Sequence, residues 1–148
     1  MIYLDIDGVL ILTGDANDSP AVLRRAAIVA DICAITGARL VISSQRRISD
    51  DVLTLLSDLG LTRYLADDHA VRTPFVRGDD LDPDLPVRGQ EIDGHMMRHR
   101  PDRHAILDDD HVLAHHNHVP IDPDRGISDH DGVRAIAFLT GSGFLRFS

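Results

Sequence analysis

The sequence predicts an α/β fold: one parallel sheet between helical layers, a three-layer α/β/α arrangement. Three observations carry this prediction. Short apolar segments alternate with amphipathic helical segments along the chain, the order that gives a parallel sheet covered on both faces. The apolar segments at 2–6, 39–43 and 104–107 are hydrophobic almost without interruption, as strands buried on both faces require. Acidic residues follow two of them directly, Asp5 and Asp7 after the first and Asp108, Asp109 and Asp110 after the third. Sheets of this kind bind ligands beyond the carboxyl ends of their strands.

Taken in order, residues 2–6 form the first strand, and Gly8 follows it at a point suited to unusual backbone geometry. Residues 9–19 hold turn signals at Gly14-Asp15 and Asn17-Asp18. Ser19-Pro20 reads as an N-cap with proline at the first helical position, so a helix runs over about 20–36. Val22, Ala26, Val29, Ala30 and Cys33 form its inward stripe, and Gly37 stops it. A second strand covers 39–43. Ser49 caps a helix over about 50–59, with Val52, Leu55, Leu56 and Leu59 facing inward and Gly60 at its end. Residues 61–87 carry three prolines, an acidic run at 79–84 expected to be solvated, and a short strand near 70–73. A helix over about 89–99 precedes a strand at 104–107. A fourth strand is expected at 118–121, and a last helix at 129–140 with Ser128 or Asp129 as its cap.

The length of 148 residues predicts one domain spanning 1–148. No apolar run approaches the ~18 residues of a membrane span. Asp5 and Asp7 interrupt the early apolar stretch, which argues against a secretory signal. The single Cys33 has no internal disulfide partner, which fits a reducing cytoplasm. The formal charge is -9, unfavourable for broad non-specific nucleic-acid binding. All fifteen basic residues are arginine, so any cation that grips a phosphate is an arginine or a metal.

Four short motifs carry the chemistry. In Asp5-Ile6-Asp7-Gly8-Val9-Leu10, two carboxylates leave a hydrophobic strand and are costly to bury unpaired. A Mg2+ ion at the strand end relieves that cost; the plain alternative is a turn with two exposed acids. Ser43-Ser44 follows the second strand, where a hydroxyl either donates to a phosphoryl oxygen or serves a simple strand-to-helix turn. Arg88 opens a helix as Arg88-Gly89-Gln90-Glu91-Ile92, either as a phosphate-binding cation or as a surface residue. Asp108, Asp109 and Asp110 repel one another unless a cation intervenes, and they share a sheet edge with the first motif.

Together these motifs resemble the four signatures of the haloacid dehalogenase (HAD) superfamily, whose fold is a Rossmann-like sheet. Within it they are similar to the small domain of Swiss-army-knife RNA repair proteins. The shared segments are DIDGVL, ISSQRR, TP followed by RGQEI, ILDDD, and the later VPIDPDRGIS. The resemblance implies a phosphatase in which Asp5 attacks phosphorus to give an aspartyl-phosphate and Asp7 is general acid, then base. It implies a Mg2+ ion held by Asp5, the Asp7 backbone carbonyl and Asp109, with Asp108 in or beside the shell. Ser44 rather than Ser43 would hold the phosphoryl group, lying seven residues after Gly37 as in many relatives. Arg88 would stabilise its charge, standing where relatives commonly have lysine.

Arg46 and Arg47 extend the second motif, either to grip a second phosphate or to cap a helix. Histidines concentrate late in the chain. They are expected to be exposed or hydrogen-bonded, the alternative being a zinc site on a helix from His111 and His115. His69 follows Asp67-Asp68 in a loop expected either to line the pocket or to be bystander surface.

Only 43 residues separate Ser44 from Arg88, too few for a large lid beside the helix they contain, so a capless or minimally capped domain is expected. Lidless relatives tend to leave the site open to bulky substrates such as nucleic-acid ends or phosphoproteins, and the RNA-repair likeness implies a 3′- or 5′-phosphate on a polynucleotide; a small phosphomonoester such as a nucleotide is the other candidate. A non-catalytic binding or regulatory module, and a phosphotransferase, are the competing functions.

Overall fold

The computed structural model describes residues 1–141. Its sheet has four parallel strands, β1 (Ile2–Leu4), β2 (Leu40–Ile42), β3 (Ala105–Asp108) and β4 (His118–Pro120), in the order β2-β1-β3-β4. The register pairs Tyr3 with Val41 on one side and with Ile106 on the other. Asp108, at the end of β3, pairs with Pro120.

Alternation along the strands divides the core. Ile2, Leu4, Leu40, Ile42 and Leu107 point to one face. There they meet helices α1 (Pro20–Thr36), α2 (Asp50–Asp58) and α4 (Asp129–Thr140), through Val29, Leu56 and Ala135 among others. Tyr3, Val41 and Ile106 point to the other face, against Ile92 and Met96 of α3 (Val87–His99). This is the expected three-layer arrangement.

The helix ends follow from their sequence signals. Ser19 accepts from the Val22 backbone N–H, Pro20 opens α1, and Gly37 closes it at φ 73°. Ser49 accepts from the Asp51 backbone N–H at the start of α2. Ser128, not Asp129, caps α4, in a reciprocal box with Asp131. α3 starts two residues before the expected 89, because Pro86 serves as its N-cap.

The strand expected near 70–73 is one isolated bridge, Ile42 to Arg72. The Ile42 N–H donates to Val71 O and the Thr73 N–H to Ile42 O, and pairing stops there as the chain enters Pro74. Among the described residues, the segment between Ser44 and α3 holds α2 and short 3-10 turns but no strand of its own. Among the described residues, no lid therefore covers the strand ends.

Candidate active site

β1 ends by placing Asp5 against the neighbouring strand, its N–H donating to Leu107 O at 3.0 Å. The chain then turns sharply, with the N–H groups of Val9, Leu10 and Ile11 all donating to Ile6 O. Gly8 stands in that turn at φ 83°, and a Cβ there would run into the carboxylate of Asp109. Only glycine permits the first acidic motif to close against the last.

Three carboxylates meet at this point. One oxygen each from Asp5, Asp108 and Asp109 lies within 4.8 Å of the others. Asp108 is fully buried and Asp5 is 5% exposed. Arg88 reaches in from the first turn of α3, 2.6 Å from Asp108 Oδ2 and 3.4 Å from Asp5 Oδ1. Its single charge does not neutralise the group. Burial, then Asp108, pushes Asp5 up to about 8 despite Arg88, and burial also raises Asp108. Three hard oxygen donors with an unbalanced negative charge fit a divalent cation such as Mg2+.

A cavity of about 300 Å³ opens over this cluster. Asp5, Asp7, Ser44, Arg88, Asp109 and Asp110 line it, together with Gln45, which no motif singled out. Ser44 lines the cavity and Ser43 does not. The Ser44 hydroxyl accepts from the Arg46 backbone N–H at 3.2 Å, capping the short turn Gln45–Ile48, so its proton is free to face the cavity.

The carboxylate of Asp7 lies outside the acidic cluster. Arg46 holds it with both arms of its guanidinium, Nε to Oδ2 at 2.8 Å and NH2 to Oδ1 at 2.7 Å. The pairing joins residues 39 positions apart and has no signature in either motif.

Arg47 is not a phosphate ligand. Its side chain is 1% exposed and pairs with Glu91 Oε2 at 2.6 Å. It also donates to the carbonyls of Thr73, Ser44 and Pro74, and lies 3.6 Å from the centre of the Phe75 ring. These contacts turn it away from the cavity and make it the clamp between the second motif and α3. His69 lines a separate groove with Asp67, Asp68 and Arg72 and takes no part in the acidic site. His111 and His115 do not share a helix, because 111–117 is a loop. The acidic run at 79–84 is largely exposed, as expected for a solvated loop.

The chain matches the family model described as the HAD domain in Swiss Army Knife RNA repair proteins, over residues 1–131. The chain belongs to this HAD family. No curated protein and no solved structure matches it. The matched region contains the whole sheet and the residues of the acidic cluster, from Asp5 to Asp110. Among the described residues, no helix is long and apolar enough to cross a membrane.

Proposed function

We propose that this HAD domain is a Mg2+-dependent phosphomonoester hydrolase acting through an aspartyl-phosphate on Asp5. The supporting observation is the cluster of Asp5, Asp108 and Asp109 facing an open cavity, with Arg88 as its only close cation among the described residues. Bound there, Mg2+ would neutralise the carboxylates and hold a phosphoryl oxygen against Asp5.

The remaining chemistry belongs to the chain. An Asp5 carboxylate oxygen attacks phosphorus as the bond to the leaving oxygen breaks, and Asp7 delivers a proton to that oxygen. Water then attacks the phosphoryl group, gives its proton to Asp7, and releases phosphate from Asp5. Ser44 donates to a phosphoryl oxygen, and Arg88 opposes the negative charge held between Asp5 and Asp108. For Asp7 to face the leaving oxygen, at least one of its two bonds to Arg46 opens. A second anionic group on the substrate offers Arg46 a replacement partner.

That exchange favours a substrate with a phosphate beside the scissile one, a phosphorylated polynucleotide end before a simple ester. Arg46 also lines a neighbouring groove of about 490 Å³ with Asn17, Ser49 and Asp51, which leaves room for the body of such a leaving group. The RNA-repair setting of the family supports the same choice.

The test is a phosphatase screen with oligonucleotides phosphorylated at the 3′ or 5′ end, mononucleotides and sugar phosphates. Phosphate release is expected to need Mg2+ and to be greatest with the oligonucleotides. If wild type and Asp5→Asn are equally inert across all of them, the chain is a non-catalytic module.

A further inference from the structure

A second cluster lies outside the acidic cavity, where the loop that follows β3 meets α3. The two backbones touch: a Cβ on Gly89 of α3 would stand 2.7 Å from the Leu113 backbone nitrogen. From the helix, Asp93 extends one carboxylate oxygen to both His115 and His116. Its Oδ1 lies 3.0 Å from His115 Nε2 and 3.2 Å from His116 Nε2.

We propose that Asp93, His115 and His116 form a binding site for Zn2+ or a similar late first-row divalent ion, distinct from the Mg2+ site. The spacing suits such an ion. Zinc binds imidazole nitrogen and carboxylate oxygen at about 2.0–2.2 Å, which puts neighbouring tetrahedral ligand atoms roughly 3.3 Å apart. The two measured edges are close to that value, and all three donor atoms lie within 4.8 Å of one another. Two imidazoles and one carboxylate are borderline ligands that favour zinc over Mg2+. His116 is buried and fixed, whereas the His115 side chain is 66% exposed and Asp93 31%, so the fourth position is open to water.

The protons balance without oxidation or reduction. His116 Nδ1 accepts from the Leu113 N–H at 3.3 Å, so its own proton sits on Nε2, facing Asp93. A bound ion takes that place, and the ring proton moves to Nδ1. The long bond from Leu113 opens and leaves that N–H without its acceptor, a loss set against three metal–ligand bonds. His104 does not join the set, because its Nε2 already accepts from the Asn117 N–H at 2.9 Å.

The position gives the ion a structural effect. Asp93 follows Arg88 along α3, and His115 and His116 follow Asp108–Asp110 along the loop. An ion between them fastens the helix carrying Arg88 to the loop carrying the acidic triplet. The site itself stands on its own ligands and does not depend on the phosphatase reading.

The test is a calorimetric titration of the untagged, metal-stripped chain with Zn2+ in saturating Mg2+, which keeps the acidic cavity occupied. One Zn2+ per chain is expected. His115→Ala removes an exposed ligand and should weaken binding by at least about 100-fold, the upper end of what losing an outer-shell partner costs. Asp93→Asn should do the same, with the fold of both variants checked by circular dichroism. Co2+ in place of zinc should give the strong visible absorption of a tetrahedral site. No binding in the presence of Mg2+, an affinity unchanged from wild type in either variant, or an octahedral Co2+ spectrum would each overturn the proposal.

Discussion

Arg46 holds both carboxylate oxygens of Asp7 in a two-armed pair, at 2.8 and 2.7 Å, across the mouth of the acidic cavity. The side chains are 41% and 57% exposed, so the pair contributes little to stability, roughly 1 kcal/mol or less. Its value lies in where it places the Asp7 carboxylate and in what can displace it. Arg46→Ala is therefore expected to leave the unfolding midpoint near wild type. It should raise KM for phosphorylated oligonucleotides about tenfold or more, the worth of one charge-assisted hydrogen bond. The effect on p-nitrophenyl phosphate, which has no second anion, should be smaller. Equal losses on both substrates would remove Arg46 from substrate recognition.

Arg88 has the opposite balance. It is buried between two buried carboxylates, and without it Asp5 and Asp108 face each other uncompensated. Arg88→Met should cost about 3–5 kcal/mol in urea unfolding with chelator present. Mg2+ should restore part of that loss by binding the vacated charge. Unchanged stability, or a loss that Mg2+ does not touch, would contradict the shared-cation account of the cluster.

Arg47 and Glu91 form a buried ion pair that joins the second motif to α3. Removing one partner strands the other, so Arg47→Met and Glu91→Gln should each destabilise by about 3–5 kcal/mol. The double replacement should cost less than the sum, which a double-mutant cycle measures. Neither single change should alter the preference between oligonucleotide and small ester.

His104 supplies a pH signature. Burial, followed by His116, the N-terminal charge and His115, pushes it down to about 4 from the ordinary 6.5. Its Nε2 must stay unprotonated to accept from the Asn117 N–H. Above 6.5 the ring is neutral folded or unfolded and costs nothing. As pH falls from there toward 4, the unfolded chain takes a proton that the folded chain refuses, and stability is lost. Urea midpoints with chelator at about pH 7.5 and about pH 5 should therefore fall further for wild type than for His104→Gln. Parallel falls would assign the loss to other groups.

The parts of this structure that were legible in the sequence are those set by local rules. Ser19-Pro20, Ser49 and Gly37 marked helix ends because capping is decided within one turn. Asp5 and Asp108 were legible because one follows and the other ends a strand buried on both faces, and adjacent parallel strands end together. Pairings across long sequence separations were not legible. Arg46 and Arg47 are neighbours in the chain, yet one turns out to Asp7 and the other in to Glu91, and nothing in Gln45-Arg46-Arg47 distinguishes them. The histidines posed the same difficulty. The i, i+4 spacing of His111 and His115 suggested a helix that does not form, while the partner of His115 and His116 lies on α3. The strand near 70–73 shrank to a single bridge because Pro74 ends its pairing.

The most direct test is the Mg2+ dependence of p-nitrophenyl phosphate hydrolysis in wild type, Asp5→Asn and Asp109→Asn. On this account wild type should turn over only with Mg2+, Asp5→Asn should not turn over, and Asp109→Asn should need a higher Mg2+ concentration for half-maximal activity. Wild-type turnover that persists in chelator, or in Asp5→Asn, would contradict it.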